Sequence, residues 1–496
     1  MQGLQLIARA QAFASSVALR SGDAERTFGE LLDRSATLAR TTLAGADDLH
    51  ESRIAFLAPA GFDYITVQWG IWRAGGVVVP LSLSATEPEL EYTLADSGAD
   101  CVVTTLSLAD RVRTLCEQRS LRLLVVEDMN DTAGVSLPVI DPQRRAMILY
   151  TSGTTSTPKG VVTSHVNIES QIKSLVEAWK WHASDSIPLF LPLHHIHGII
   201  NVMSCALWSG ATIEAFPRFD IETILDRTAA KAYSVFMAVP TIYVKLLQAV
   251  SDLNQDARED VISGFAAMRL MVSGSAALPA SVHCEWTALT GQKLLERYGM
   301  TEIGMALSNP YTGERRPGSV GVPLPGVNVR LMSDSGEPVD VEDEPGEIEV
   351  RGPAVFVEYW NRAEVTADAF ADGWFRTGDI AVRENGYLRI MGRQSVDIIK
   401  SGGFKLSALE IESILLLHPA IRECAVVGVP DDTWGETVAA AAVLQEGAEL
   451  SNGDLKAWCD MRLSHYKIPR HLSIVDGLPR NAMGKVTKPD VRKLFC

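Results

Sequence analysis

Two hydrophobic periods alternate along the first 140 residues, and that alternation limits the folds open to this chain. Residues 28–44 carry apolar side chains at helical spacing. Residues 53–58 and 76–80 read as strands, with a helix over 63–74 between them. A helix over 87–97, a strand over 101–105 and a further strand over 123–127 continue the series. Strands joined by helices in this rhythm predict a mostly parallel sheet with helices packed on its faces. The first ten residues lack a basic segment and a small-residue cleavage site, so they read as a first helix and not as a signal.

A polar stretch interrupts this pattern: Leu149-Tyr150-Thr151-Ser152-Gly153-Thr154-Thr155-Ser156-Thr157-Pro158-Lys159-Gly160. Hydroxyls, backbone N–H groups, glycine and one lysine together suit phosphate oxygens. The stretch differs from a P-loop, because Pro158 stands at the second glycine position and Gly160 follows the lysine where Ser or Thr is required. Val161-Val162-Thr163 reads as strand, so the loop is expected to join two strands and not to open a helix. A solvated Ser/Thr linker is the plain alternative, but linkers seldom lie between two β-rich apolar runs.

The chain has 496 residues, 47% hydrophobic and 21% charged, which is globular composition with length for more than one core. Its 45 Lys and Arg against 61 Asp and Glu give a net charge of −16. That balance argues against non-specific binding of nucleic acid or anionic membrane. Seven scattered cysteines without a CxxC spacing read as buried or free thiols in a reducing compartment, the cytoplasm being the expectation and an organelle staying open. No apolar run is long enough to span a membrane. Oligomeric state is not readable.

Further along, Pro192-Leu193-His194-His195-Ile196-His197-Gly198 places three histidines within four residues. No cysteine or carboxylate sits at ligand spacing, so a pocket wall is the preferred reading over a zinc site, and backbone-satisfied core histidines are the alternative. Residues 236–240, 270–276 and 294–302 are strand-to-turn units, and ligands of α/β sheets bind at such carboxyl ends. From Gly318 the segments 327–332, 346–351 and 387–390 are short alternating strands, a small barrel-like antiparallel piece. About one hundred residues of α+β follow: helices over 408–417 and 451–462, strands over 421–428 and 438–445. The expected organisation is α/β. A large N-terminal domain, 1–391, holds the α/β subdomains and the barrel-like piece, and a small mobile domain spans 392–496.

Five separated motifs now stand in order: Tyr150–Gly160, Pro192–Gly198, Arg297–Glu302, Trp374–Asp379 with Gly392-Arg393, and Pro479–Lys485. In this order they resemble the adenylate-forming superfamily of acyl-CoA synthetases, luciferases and adenylation domains, over essentially the whole chain. The resemblance implies attack of a carboxylate on the α-phosphate of ATP, giving an acyl-adenylate and pyrophosphate, then displacement of AMP by the thiol of coenzyme A. It implies that Thr151, Ser152, Gly153, Thr154, Thr155 and Lys159 cradle the β- and γ-phosphates. Thr301 would contact the α-phosphate and Glu302 would hold Mg²⁺. Tyr298 would stack on adenine, Ser275 and Ala276 would line the adenine and acyl side, and Asp379 would accept from ribose hydroxyls with Arg393 nearby. His195 is grouped with the catalytic residues. Lys485 would bridge the acyl carboxylate and the α-phosphate, and Gly402, Gly403 and Phe404 would face the pantetheine channel. Plain structural roles remain open for Glu302 (a helix N-terminus), Asp379 (an Asx turn), Arg393 (an ion pair) and Tyr298 (core). After Gly392-Arg393 the spacing to Gly403-Phe404 is one residue longer than in many relatives, so the hinge falls ambiguously on Ser395 to Asp397.

Arg297 carries the expectation about the acyl group. A buried guanidinium is costly unless paired, and a second carboxylate on the substrate is a bidentate partner for it. Arg297-Tyr298-Gly299-Met300-Thr301-Glu302 followed by Ser308-Asn309-Pro310 resembles the malonyl-CoA synthetase branch. His197 would be a second donor and Met305 a pocket wall, while pairing of Arg297 with Glu296 is the alternative. The expected activity is ATP- and Mg²⁺-dependent ligation of malonate to CoA, with methylmalonate open as a second acid. A ligase for another short or medium acid, a carrier-protein-loading adenylation enzyme, and a non-catalytic acyl or nucleotide sensor are the competing readings. No phosphopantetheine serine motif follows Lys485, which weighs against the carrier-loading reading.

Lys485→Ala is expected to abolish formation of the acyl-adenylate and to leave thioester formation from supplied acyl-adenylate largely intact. Measuring the two half-reactions separately checks this, and equal loss in both would remove the assigned role.

Overall fold

The computed structural model describes residues 3–129, 136–151, 157–480 and 486–495. Two compact units result. The first comprises Met1–Asn328 with Arg351–Phe375, and the second Val329–Val350 with Arg376–Cys496.

The first unit is built on three sheets. In the seven-stranded one, Arg53–Leu57 lies between Val77–Pro80 and Cys101–Thr104, all parallel, with Arg122–Val125 beyond. Val77, Val78 and Val79 are fully buried, as expected for strands covered on both faces. The helix Phe28–Leu43 starts at a reciprocal Thr27–Glu30 capping box. The helix Phe62–Arg73 is buried from Tyr64 to Trp72, and the indole of Trp72 donates to the Ala146 carbonyl, pinning the helix to the next strand. That strand, Arg145–Thr151, runs antiparallel to Lys159–Ser164, with Tyr150 opposite Gly160 and Thr151 opposite Lys159. The polar loop therefore joins two strands of one sheet, as its flanks predict.

A second sheet orders Val235–Ala238, Leu270–Ser273 and Leu295–Met300 in parallel, then turns back through Gly304–Ser308. In a third, Ser186–Leu189 pairs with Thr212–Ala215. After Ser186–Leu189 the chain forms a π-helix, His197–Ser204, which continues into the α-helix Cys205–Ser209. Hydrophobic periodicity gave no sign of it. Its wide turns fit an unusual neighbourhood: a Cβ at Gly198 would stand 2.7 Å from the Pro192 carbonyl, and the Ser204 hydroxyl donates to the carbonyl of Ile199, five residues back.

In the second unit, residues 346–350, 376–384 and 387–393 belong to one sheet, the antiparallel piece expected from the sequence. The hairpin Ile398–Ser401/Phe404–Ser407, the helix Ala408–Leu415 and the long hairpin Ile421–Asp431/Gly435–Leu444 follow. Ala439 to Ala442 are fully buried, so small side chains let this sheet be covered closely on both faces. Packing groups residues 329–350 and 376–391 with the C-terminal residues. Among the described residues no helix is long and apolar enough to cross a membrane.

Candidate active site

The strand Leu295–Met300 and the turn after it place Arg297, Tyr298, Thr301 and Glu302. Successive side chains leave it on opposite faces. Glu296 turns one way, where its Oε1 accepts from the Gly318 N–H at 2.8 Å, and burial raises its carboxyl to about 8. Arg297 turns the other way and is 5% exposed. Its guanidinium lies flat on the turn after Leu270–Ser273, where a Cβ at Gly274 would stand 2.4 Å from Cζ. Among the described residues no carboxylate pairs with Arg297. Its Nη2 donates to Ser275 Oγ at 3.4 Å, and its Nε is buried without a hydrogen-bond partner. Glu296 thus does not serve as the counter-ion.

Ser275 has φ +70°, a left-handed conformation that a residue with a side chain holds only under constraint. The turn brings Oγ within 3.1 Å of His197 Nδ1, at the start of the π-helix. Arginine can only donate, so Ser275 Oγ accepts from Arg297 and its own proton is free for His197 Nδ1. Where Oγ gives that proton to Nδ1, Nε2 carries the imidazole proton; Nε2 is buried without a hydrogen-bond partner. Burial first, then the charge of Arg297 and then His195, hold the His197 imidazole well below its ordinary range, so the ring is neutral. Burial lowers the Arg297 guanidinium to about 9. One positive charge and one neutral N–H donor, both desolvated, await an acceptor. Ser275 and Ala276 are exposed, so this pocket opens towards solvent. Met305 is opposite Gly299, and a Cβ at Gly299 would stand 2.6 Å from its Cε, so Met305 closes over the strand.

Tyr298 is half-buried on the same strand, and Thr301 and Glu302 form the turn of the hairpin, so Glu302 is not a helix N-terminal residue. Glu302 is 6% exposed and accepts from the Tyr359 hydroxyl at 3.0 Å. Lys159 Nζ lies 5.2 Å from the centre of the Tyr359 ring, a cation–π contact. Tyr359 thus stands between the lysine of the polar loop and the carboxylate of the hairpin. Sequence reasoning missed it; the aromatic-polar run Tyr359-Trp360-Asn361-Arg362 was the available signal. His195 is exposed, its ring 4.1 Å from that of His194, which burial pushes down to about 3.

In the second unit Asp379 and Arg393 face each other across a strand pair, with Arg393 Nε donating to Oδ1 at 2.9 Å and Nη2 to Oδ2 at 3.3 Å. Gly402 and Gly403 form the tip of a two-residue hairpin, with φ +57° and +85°. A Cβ at Gly402 would meet the Trp434 ring at 2.7 Å, whereas one at Gly403 would meet nothing within 4 Å. Phe404 is 54% exposed and stacks on Tyr466. Asp397 accepts from the Arg393 N–H, which ties the ambiguous hinge stretch back to the preceding strand. Ser152, Gly153, Thr154, Thr155 and Lys485 lie outside the described residues. Thr151 and Lys159, which bracket the polar loop, are both half-buried.

Sequence profiles of two families match: "AMP-binding enzyme" over residues 6–360 and "AMP-binding enzyme C-terminal domain" over residues 410–485. The chain belongs to the AMP-binding enzyme family. It is similar to the mitochondrial malonate–CoA ligase ACSF3 of Mus musculus, 44% identical over 98% of this chain and 89% of that protein. The Homo sapiens ACSF3 is 42% identical over 98% of this chain and 91% of that protein. Among solved structures, ATP-bound MatB from Rhodopseudomonas palustris superposes with a TM-score of 0.88 at 34% identity, covering 100% of this chain and 99% of the other. The AMP complex of O-succinylbenzoate coenzyme A synthetase from Bacillus subtilis gives 0.85 at 27% identity, covering 99% and 98%.

The Glu296 carboxyl supplies a check on this geometry. Its folded-state value is raised from 4.5 to about 8 by burial. Below pH 4.5 folded and unfolded chains both hold the proton. As pH rises towards 8 only the unfolded chain releases it, so native stability falls through this window and levels above it. Glu296→Gln should remove that part of the pH dependence. The melting temperature of the wild type relative to the variant should then drop between pH 5 and 8; a constant difference would mean that Glu296 is ionised in the native protein.

Proposed function

We propose that this protein is an ATP-dependent malonate–CoA ligase. It joins malonate to the α-phosphate of ATP, releases pyrophosphate, and transfers the malonyl group to the thiol of CoA with release of AMP. The observation that carries the choice of acid is the buried Arg297 guanidinium, which has no carboxylate partner among the described residues, beside the unpartnered Nε2 of His197. A dicarboxylate offers what this pair lacks. One carboxylate reacts; the other accepts from Arg297 and His197 and cancels the buried charge. The names of the ACSF3 and MatB relatives support the same acid.

A carboxylate oxygen is a poor leaving group, so adenylation exchanges it for AMP. Holding two anions together requires fixed cations and donors. In this reading Lys485 bridges the acyl carboxylate and the α-phosphate, and Thr301 donates to the same phosphate. Thr151 to Lys159 hold the β- and γ-phosphates. Tyr298 stacks on adenine beside Ser275 and Ala276, Asp379 accepts from the ribose with Arg393 orienting it, and Met305 bounds the acyl pocket. Gly402, Gly403 and Phe404 flank the thiol's path, and His195 stands at the pocket wall. Glu302 fits a Mg²⁺ ion as a single hard-oxygen ligand, since that ion keeps water and phosphate oxygens in its remaining positions. Bound there, the ion would neutralise phosphate charge. The functional boundary at 391/392, the cytoplasm as compartment and methylmalonate as a second acid belong to the same proposal.

AMP release measured over a panel of mono- and dicarboxylic acids, with and without CoA, tests the function; malonate should lead, and only with CoA should turnover continue. Arg297→Ala should cost about 3–5 kcal/mol of transition-state stabilisation for malonate, roughly two to four powers of ten in kcat/KM. Butyrate, with no distal charge, should lose far less. A parallel fall for both acids would mean that Arg297 supports the fold or the nucleotide. Gly274→Ala should act in the same direction with Arg297 still present, because the new methyl group displaces the guanidinium. A loss of at least about tenfold for malonate, with the KM for ATP retained, is the expected result.

A further inference from the structure

The polar loop is gripped from outside by one helix that none of the chemistry above uses. The helix Glu87–Ser97 begins at a Thr86–Glu89 capping box and ends at a left-handed Gly98, so its position in the fold is well defined. Tyr92 and Asp96, four residues apart, share one face. The Tyr92 hydroxyl donates to the Pro158 carbonyl at 2.7 Å, one residue before the strand Lys159–Ser164. Asp96 Oδ2 accepts from the Tyr150 hydroxyl at 2.8 Å, on the strand entering it. Asp96 Oδ1 accepts from Arg362 Nη2 at 2.9 Å, and the Asp96 carbonyl from the Trp360 indole at 3.1 Å. The Trp360 N–H in turn donates to the Gly160 carbonyl at 2.7 Å, and the Tyr92 and Tyr150 rings meet edge to face at 6.1 Å. Both stems of the loop are thereby tied to the same helical turn.

We propose that Tyr92 and Asp96 are positioning residues for ATP: they fix the two stems so that Thr151 and Lys159 stand ready for the terminal phosphates before the nucleotide arrives. Proline has no N–H, so the Pro158 carbonyl is its only backbone hydrogen-bonding group, and Tyr92 engages it. Ordering of Thr151 and Lys159 that these contacts have already completed is not charged to binding. Loosening one stem returns that cost, and only for ligands that use the loop. ATP carries the phosphates this loop holds; AMP does not.

The test is equilibrium binding of a non-hydrolysable ATP analogue and of AMP to the full-length protein by calorimetry, without any acid present. The identity of the acid therefore does not enter the result. Tyr92→Phe removes one hydroxyl and keeps the ring. It should weaken the ATP analogue about three- to tenfold, the worth of one hydrogen bond, and leave AMP within about twofold. Asp96→Asn should act in the same direction, and the double variant should be less than additive, because both residues hold one loop. Steady-state assays should show KM for ATP rising with KM for the acid unchanged. Equal weakening of AMP and the ATP analogue would make the cluster a support of the fold only. Unchanged ATP-analogue binding in Tyr92→Phe would also overturn the proposal.

Discussion

Alternation along a single strand governs the site. Leu295–Met300 sends Glu296 to one face and Arg297 to the other, then delivers Thr301 and Glu302 at its turn. A register slip of one residue would exchange the two faces and place a carboxyl in the acyl pocket and a guanidinium against Gly318. The antiparallel return through Gly304–Ser308 opposes that slip. Arg297 stands across from Ser308, Gly299 across from Met305, and a Cβ at Gly299 would stand 2.1 Å from the Gly304 carbonyl. The pairing shifts by one residue between Tyr298 and Gly299, a bulge that sets the register of the turn.

Within that register the protein keeps an unneutralised charge away from water. The effective cost of burying one ion is several kcal/mol, and the described part of the fold supplies no counter-ion for Arg297. What it supplies is a seat: bare backbone at Gly274 beneath the guanidinium, and a constrained Ser275 that links it to His197. On the proposed reading, a ligand carboxylate would remove the cost on arrival, and recognition would draw on an unfavourable term already built into the folded state. The same logic keeps His197 neutral, since a second buried cation beside Arg297 would add repulsion without a new acceptor.

Much of this was legible in the residues. The strand and helix order from residue 28 to about residue 105 follows from periodicity, whereas the short strands Val17–Ser21 and Ala24–Thr27 were missed; the helix Glu87–Ser97 has the predicted bounds. β-branched flanks identified the polar loop as a link between strands. Arg297 stood out as a charged residue at a strand end and His197 as one of three clustered histidines, while Ser275 followed only from the family resemblance. Tyr359 was missed because its partner Glu302 lies 57 residues away, a contact only the folded chain reveals. The return strand Gly304–Ser308 was missed because five small and apolar residues carry no period. The π-helix escaped because patterns of three and four cannot register a bond that spans five. The grouping of residues 329–350 with the C-terminal part depends on packing between distant segments, to which local composition is blind.

The π-helix sets a condition on how acid recognition can be gained or lost. His197 opens an eight-residue stretch wound more widely than an α-helix. Such a stretch stores one residue more than the α-helical path needs. Deleting any one residue within it would let the segment tighten, turning what precedes it by about 100°, enough to carry the imidazole away from Ser275. Descendants of this gene could therefore abandon the second donor through one lost codon, keeping every residue of the pocket in the sequence. A residue-by-residue comparison would still count the histidine as present. With His197 in its proposed role, gap positions between 198 and 204 would carry information about substrate that residue identities do not.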